Sequence, residues 1–246
     1  MRSAPVRMDP YSLETFLPIA AQYGQDRYGY VVTPNADHFL RLEDQPELRP
    51  LYEDASYCLL DSRFLAKLWR TLRGTAFPVC VGADLTARVI ADLARPGDRL
   101  VVVGSSEEQV QILRARYGFT NLVHHNPPMG FIRKPEAVEA CLQAIEAASP
   151  FRFCFLAVGS PQQEKVAHAL AQRGRARGLA LCIGASINFL TGGEKRAPGI
   201  FQKLGVEWVY RLFQDPKRMF RRYVINGPRV LKLAVTGDFA LRPPKP

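Results

Sequence analysis

The sequence predicts an α/β fold with a mostly parallel sheet covered by helices on both faces, and a helical appendage at the C-terminal end. Short apolar runs alternate with helix-like segments along residues 28–183, as in a chain of strand–helix units. The apolar runs carry few polar positions, which is typical of strands buried on both faces. After Gly199 the alternation stops and an apolar stripe at helical spacing begins.

The elements follow from these runs in chain order. The predicted strands are Tyr28–Val32, Tyr57–Leu60, Val79–Val81, Leu100–Val103, Leu122–His124, Phe151–Val158 and Leu179–Ile183. The predicted helices between them are Asp84–Leu93, Ser106–Tyr117, Pro135–Ala147 and Gln162–Arg177. Within the third helix Val138, Leu142 and Ile145 recur at helical spacing. Because the strands are parallel, functional residues are expected at their carboxyl ends.

Three regions are predicted along the chain. Residues 1–199 form the α/β body, 200–240 a basic amphipathic appendage, and 241–246 (LRPPKP) a disordered tail. The appendage has an apolar stripe at three- and four-residue spacing, and a second helix is expected from Lys217 to Val224, ended by Gly227-Pro228. The stripe is Phe201, Leu204, Trp208 and Leu212. It could also support a homo-oligomer.

The charge is concentrated in one region. The 246 residues carry a formal net charge of +10. Ten Lys or Arg but only two acidic residues lie between Lys195 and Lys232. Such clustering indicates a polyanionic partner at one place on the surface.

Composition also limits the class of protein. No run reaches the roughly 18 apolar residues of a membrane-spanning helix, and the first residues lack the apolar core of a signal peptide. Five cysteines without a C-x-x-C pair favour reduced thiols in the cytoplasm. Neither a metal site nor a cofactor is expected. No G-x-G-x-x-G or Walker pattern occurs, and no D-x-D pair for a metal-bound nucleotide sugar.

Two polar segments follow the first two predicted strands. Thr33 and Asn35 come directly after Tyr28–Val32 and could hydrogen-bond a substrate, although Asn35 could equally cap a helix. Asp61 follows Tyr57–Leu60 and could accept a proton from an acceptor hydroxyl. Its structural alternative is to cap the helix predicted over Phe64–Leu72.

Two further segments follow the last two predicted strands. In Gly159-Ser160-Pro161-Gln162-Gln163, a sharp helix start could present N–H groups to a phosphate and Gln163 to the substrate. Alternatively, Ser160 and Gln163 could form a capping box. The loop from Gly184 to Pro198 allows close approach of a ligand, with Arg196 supplying charge beside it.

The arginines of the appendage form a fifth candidate site. They lie among aromatic residues that suit a membrane interface, and arginine offers phosphates a bidentate fork. A solvated basic face is the alternative. The set is Arg211, Arg218, Arg221 and Arg222.

These motifs, in this order, resemble the WecG/TagA/CpsF family of bacterial glycosyltransferases over roughly Val31 to Leu233. The resemblance is carried by TPNAD, GSPQQEK and above all RAPGIFQKLGVEWVYRLFQDPKRMFRR. It implies a Rossmann-like body and an inverting, metal-independent transfer from a UDP- or GDP-linked sugar to a polyprenyl-diphosphate-linked saccharide. The expected location is the inner face of the bacterial cytoplasmic membrane, where a cell-envelope glycan or exopolysaccharide is built.

The resemblance also assigns roles to positions. It implies that Asp61 is the general base, that Thr33, Asn35 and Gln163 contact substrate, and that appendage arginines neutralise a diphosphate. The last set is Arg211, Arg218 and Arg221.

The sequence departs from the family pattern at two places. Ser62 stands where glycine is common, and no arginine precedes Gly82; Arg63 or Lys195 could replace that cation. The missing arginine keeps a second hypothesis open, a non-catalytic member that binds the lipid-linked saccharide or a partner enzyme. A nucleic-acid-binding protein is a third hypothesis, but no nucleic-acid motif is present, so no nucleic-acid partner is expected.

Overall fold

A computed structural model of the chain describes residues 6–193, 226–237 and 239–245. Its main feature is a six-stranded sheet in the order β3-β2-β7-β6-β4-β5, in which every neighbouring pair is parallel. The strands of this sheet are β2 (Tyr28–Val32), β3 (Tyr57–Cys58), β4 (Leu100–Gly104), β5 (Leu122–His125), β6 (Phe153–Ala157) and β7 (Gly178–Cys182).

Ten helices are described, numbered here in chain order. They are α1 (Leu13–Gln22), α2 (Ala36–Asp44), α3 (Pro50–Glu53), α4 (Arg63–Arg73), α5 (Gly82–Arg88, continued by a π turn over Val89–Leu93), α6 (Glu107–Tyr117), α7 (Pro135–Ala147), α8 (Gln162–Arg173), α9 (Ser186–Leu190) and α10 (Gly227–Thr236). Short 3₁₀ turns lie at Pro46–Leu48 and Phe131–Arg133.

The sheet separates two hydrophobic cores, because successive side chains of a strand point to opposite faces. In β4, Val101 and Val103 pack into one core with residues of α2, α4, α7, α8 and α10. Leu100 and Val102 pack into the other with residues of α1, α5, α6 and α9. The predicted α/β class, with helices on both faces, is therefore confirmed.

Local chemistry sets the ends of several helices. The side chains of Ser12, Ser62 and Ser106 accept hydrogen bonds from backbone N–H groups in the first turns of α1, α4 and α6. At the other end, Gly74, Gly118 and Gly174 take the left-handed conformation that terminates α4, α6 and α8.

Several element boundaries differ from the prediction. Val79–Val81 is not a strand; Cys80 N–H donates to the carbonyl of Leu60, two residues past the end of β3, at 2.9 Å. The helix predicted over Gln162–Arg177 ends at Arg173, where Gly174 breaks it. Gly227-Pro228 begins α10, because proline is tolerated in a first helical turn; the helix Lys217–Val224 that this pair was predicted to end lies outside the described residues.

A second, two-stranded sheet joins the ends of the chain. β1 (Val6–Met8) pairs in parallel with β8 (Phe239–Leu241). In the segment 241–246 that was predicted to be disordered, Leu241 completes β8, and Arg242 N–H donates to the Met8 carbonyl at 2.7 Å. No local pattern predicts this pairing, because its partners lie more than 200 residues apart in the chain.

Part of the predicted appendage packs on the body. α10 contacts α4 and α2, and Arg229 forms a bidentate pair with Asp44 at 2.6 and 3.1 Å. Residues 200–225 and 238 of the predicted appendage lie outside the described residues, and they include the stripe from Phe201 to Leu212. Among the helices that are described, none is long and apolar enough to cross a membrane.

Candidate active site

Five predicted site residues meet at one edge of the sheet. Asp61 follows β3, Thr33 and Asn35 follow β2, Gly184 follows β7, and Gln163 lies in the first turn of α8 after β6. These four strands are adjacent, in the order β3-β2-β7-β6. Because they are parallel, their carboxyl ends form one continuous edge, the usual place for a ligand in this class of fold.

Backbone bonds join these strand ends. Asp61 N–H donates to the Pro34 carbonyl at 2.9 Å, and Ile183 N–H donates to the Leu156 carbonyl at 3.0 Å. The Thr33 hydroxyl donates to the Cys182 carbonyl at 3.5 Å. The loops that carry the candidate residues are thus held to the sheet and to one another.

Gly82, at the start of α5, brings Thr33 and Asp61 together. A Cβ atom on Gly82 would lie 2.7 Å from Thr33 Oγ1 and 3.3 Å from Asp61 Oδ2. Any side chain here would displace both groups, so the glycine allows the hydroxyl and the carboxylate to share one side of the helix start.

The structure decides between two interpretations of Asp61. Ser62, not Asp61, caps α4, accepting from Leu65 N–H at 3.1 Å. The capping role proposed for Asp61 is therefore wrong. Its carboxylate lies instead beside Thr33 at the edge of the sheet.

Asn35 does cap a helix. Its side-chain oxygen accepts from Asp37 N–H at 3.1 Å, and the Asn35 backbone N–H donates to His38 Nδ1 at 3.3 Å, which completes a capping box at the start of α2. The structural alternative for Asn35 is thus confirmed, and any contact of Asn35 with a substrate would be an additional role.

Gln163 does not form the capping box that its spacing allowed. α8 begins after Pro161 without a side-chain cap, and the Ser160 hydroxyl accepts from Arg41 Nη1 at 2.7 Å. Gln163 reaches across to the next strand end instead, where its Oε1 accepts from Gly184 N–H at 2.8 Å. Its amide therefore links the loops after β6 and β7.

The sequence of nearly the whole chain matches one known protein family. Residues 2–242 match the WecG/TagA/CpsF family of glycosyl transferases. The chain belongs to that family. Its members are glycosyltransferases of cell-envelope sugar transfer, which in general take a nucleotide-sugar donor and a lipid-linked acceptor.

In this family member, the cation closest in sequence to Asp61 already has a partner. Arg63 Nη2 donates to Asp84 Oδ2 at 2.9 Å, which ties the start of α4 to the first turn of α5. Arg63 was one of two residues that could replace the arginine missing before Gly82. Lys195, the other, lies outside the described residues.

The remaining predicted site residues cannot be placed. Arg196 and the appendage arginines lie in the undescribed range 194–225, so their roles stay predictions from the sequence. The appendage set is Arg211, Arg218, Arg221 and Arg222.

The histidine pair at the end of β5 has a local structural role. His124 lies 2.8 Å from Glu107 Oε2 through Nδ1 and 3.0 Å from the Gly104 carbonyl through Nε2. Burial lowers the pKa of His125. Within the described parts of the chain, no group of three or more His, Cys, Asp or Glu is arranged to hold a metal.

Two residues beside the candidate site were not singled out from the sequence. His38 lies between Asn35 and Glu164, with its Nε2 3.9 Å from Glu164 Oε1. Glu164 is 1% exposed, and its burial raises the pKa of the carboxyl. A buried acid next to Gln163 was visible in GSPQQEK, but only the strand order shows that it faces α2.

Proposed function

We propose that this family member is an inverting, metal-independent glycosyltransferase. It transfers a hexose or hexosamine-type sugar from a UDP- or GDP-linked donor to a polyprenyl-diphosphate-linked saccharide, in the synthesis of a cell-envelope glycan or exopolysaccharide. The observation that carries the proposal is the position of Asp61 beside Thr33 and Gly82 at the carboxyl edge of the sheet.

In the proposed reaction the Asp61 carboxylate accepts the proton of the acceptor hydroxyl. That oxygen bonds to the anomeric carbon from the face opposite the nucleotide, while the bond from this carbon to the diphosphate oxygen breaks. The electron pair leaves with the nucleoside diphosphate. One displacement of this kind inverts the configuration at the anomeric carbon.

The leaving diphosphate needs positive charge if no metal supplies it. We assign this role to Arg211, Arg218 and Arg221, because the sequence concentrates cations there. The same segment, with Arg222 and its aromatic neighbours, is proposed to bind the anionic inner face of the bacterial cytoplasmic membrane. The Gln163–Gly184 link supports a role for these two residues at the donor.

The experiment is a measurement of nucleotide release from a panel of UDP- and GDP-sugars. The full chain is supplied with a short-chain polyprenyl-diphosphate saccharide and EDTA. Acceptor-dependent release with one donor, unaffected by EDTA, is the expected result. Folded protein that releases nothing from a broad panel would contradict catalysis and favour the non-catalytic binding role.

Membrane binding is tested by charge reversal rather than truncation. Cutting near Phe201 would also remove β8 and Arg242, which pair with β1 and with the body. The double variant Arg218→Glu/Arg221→Glu keeps those contacts, and we expect it to stop co-sedimenting with anionic vesicles. The control is Arg175→Glu, at an exposed position in the loop that follows α8. This variant should sediment as the wild type does. Unchanged sedimentation of the double variant would overturn the membrane proposal.

A further inference from the structure

The Gln163 side chain is held at both ends of its amide. Its Oε1 accepts from Gly184 N–H at 2.8 Å, and its Nε2 donates to Glu164 Oε1 at 2.9 Å. Gln163 is 4% exposed and Glu164 1% exposed, so water cannot readily replace either bond. The acceptor on Glu164 therefore determines which way the amide faces, and with it whether Gly184 N–H has a partner.

Glu164 also lies next to the end of β2. His38 Nε2 is 3.9 Å from Glu164 Oε1, and His38 Nδ1 is 2.8 Å from Asn35 Oδ1. One buried carboxyl thus stands between Asn35 on one side and Gln163 on the other. These two residues and Gly184 follow three adjacent strands, β2, β6 and β7 around the sheet edge.

Residues of α2 and α3 pack around the first turn of α8. Arg41 of α2 donates to the Ser160 hydroxyl at 2.7 Å, immediately before α8. The Tyr52 ring of α3 lies edge-on to His38, with 6.4 Å between ring centroids. With packed neighbours on α2 and α3, Glu164 has little freedom to follow Gln163 if that side chain moves.

We propose that Glu164 is a positioning residue of the active site. Its Oε1 fixes the Gln163 amide and, through it, the Gly184 backbone, so that the loops after β6 and β7 keep one arrangement when the sugar nucleotide binds. The role in donor binding rests on the proposed function; the positioning itself does not. The hydrogen-bond acceptor matters here, not the negative charge.

Three variants of Glu164 separate acceptor from charge. Glu164→Gln keeps a carbonyl oxygen at the right distance and removes the charge. Glu164→Asp keeps the charge but withdraws the oxygen by one methylene. Glu164→Met keeps the length and has no oxygen. We expect Glu164→Gln to behave as the wild type. Glu164→Asp and Glu164→Met should both lose the hydrogen bond that positions the Gln163 amide.

The first readout needs no substrate. Hydrogen exchange of the Gly184 amide, followed by NMR, should accelerate about tenfold or more in Glu164→Asp and Glu164→Met. In Glu164→Gln it should remain at the wild-type rate. The Val102 amide, in the buried strand β4 between β6 and β5, is the internal control for global unfolding. If Glu164→Met is unfolded, the comparison of Glu164→Asp with Glu164→Gln still separates the role of the acceptor from that of the charge. An unchanged exchange rate of the Gly184 amide in Glu164→Asp, or a faster rate in Glu164→Gln, would overturn the proposal.

The second readout is kinetic. With the donor found in the panel, Glu164→Asp and Glu164→Met should raise the KM for that donor about tenfold, with a smaller change in kcat. Glu164→Gln should have the wild-type KM. Faster exchange with an unchanged KM would overturn the link to donor binding. If the wild type turns over no donor, the proposed function fails, whereas the exchange experiment still decides whether Glu164 positions Gly184.

Discussion

The guanidinium of Arg242 lies 3.2 Å from the carboxylate of Asp9, so the end of the chain is tied to its beginning. Asp9 is fully buried and also accepts from Cys58 N–H at 2.6 Å. Arg242 donates further to the carbonyls of Ala55, Tyr52 and Glu53 at 2.9–3.1 Å. The pair therefore holds β1, β8 and the segment before β3 together.

Removing Arg242 should destabilise the fold. Arg242→Ala leaves the buried Asp9 carboxylate without its cation, which typically costs about 3–5 kcal/mol of the free energy of unfolding. Urea denaturation measures this loss. The double variant Asp9→Asn/Arg242→Ala should lose less than the sum of the single variants, and Arg175→Ala, which removes an exposed side chain 4.0 Å from Glu146, should change little. Strict additivity would show that the two residues are not coupled.

Gly82→Ala should reduce turnover more than stability. The new methyl group would press on Thr33 Oγ1 at 2.7 Å and Asp61 Oδ2 at 3.3 Å, and such overpacking costs about 1–3 kcal/mol. Alanine in place of glycine in a helix recovers up to about 1 kcal/mol. The net change in unfolding free energy should therefore be small, while misplacement of Asp61 should lower kcat by at least about tenfold.

Gly97→Ala is the matched control for Gly82→Ala. Gly97 lies in the loop before β4, at the opposite edge of the sheet, and an added Cβ would meet nothing within 4 Å. Nucleotide release and urea denaturation of both variants give the comparison. Wild-type turnover in Gly82→Ala would show that this contact does not position Asp61.

Asp61→Asn should abolish most of the proposed transfer without unfolding the protein. The amide cannot accept the proton of the acceptor hydroxyl, and loss of a general base typically costs about 10²–10⁴ in rate. Asp26→Asn, an exposed site at the opposite end of β2, is the control. Single-turnover kinetics with the donor from the panel measure the chemical step. An unchanged rate would exclude Asp61 as the base.

The fold was predictable where local pattern determines structure. The bounds of Tyr28–Val32 and Pro135–Ala147 agree with the sequence to the residue, because uninterrupted apolar runs and an initial proline mark them. The three-residue strands β1 and β8 have no such pattern, since each is stabilised by the other. Val79–Val81 has the composition of a strand but finds no strand partner for a ladder.

The candidate site was predictable in outline and not in detail. Residues that follow parallel strands must share one edge, so Thr33, Asn35, Asp61, Gln163 and Gly184 could be expected together. The link from Asn35 through His38 and Glu164 to Gln163 depends on β7 lying between β2 and β6. Strand order is a tertiary property, and no spacing in the sequence encodes it.

The stability of the protein should respond to pH through Glu164. Burial raises the pKa of this carboxyl, opposed by hydrogen bonds from Gln163 and Ser160 and by the charge of Arg41. The other titratable groups that face it are His38 on α2, Tyr52 on α3 and Cys182 on β7. When the pKa is higher in the folded state, the folded protein binds more protons than the unfolded chain between the two pKa values, so stability falls as pH rises through that range.

Glu164→Gln removes this titration. Below the unfolded pKa of about 4.3, the difference in melting temperature between the wild type and the variant should be constant, and the variant should gain relative to the wild type as pH rises above that value. Glu139→Gln is the control of opposite sign, because hydrogen bonds from Arg173 and Gln143 lower the pKa of Glu139: there the wild type should gain on the variant as pH rises from the folded-state pKa to the unfolded pKa, and the difference should be constant above it. Melting curves at closely spaced pH values measure both differences. A difference between wild type and Glu164→Gln that is constant with pH would mean that the carboxyl has the same pKa in the folded and unfolded states, and the burial argument for Glu164 would fail.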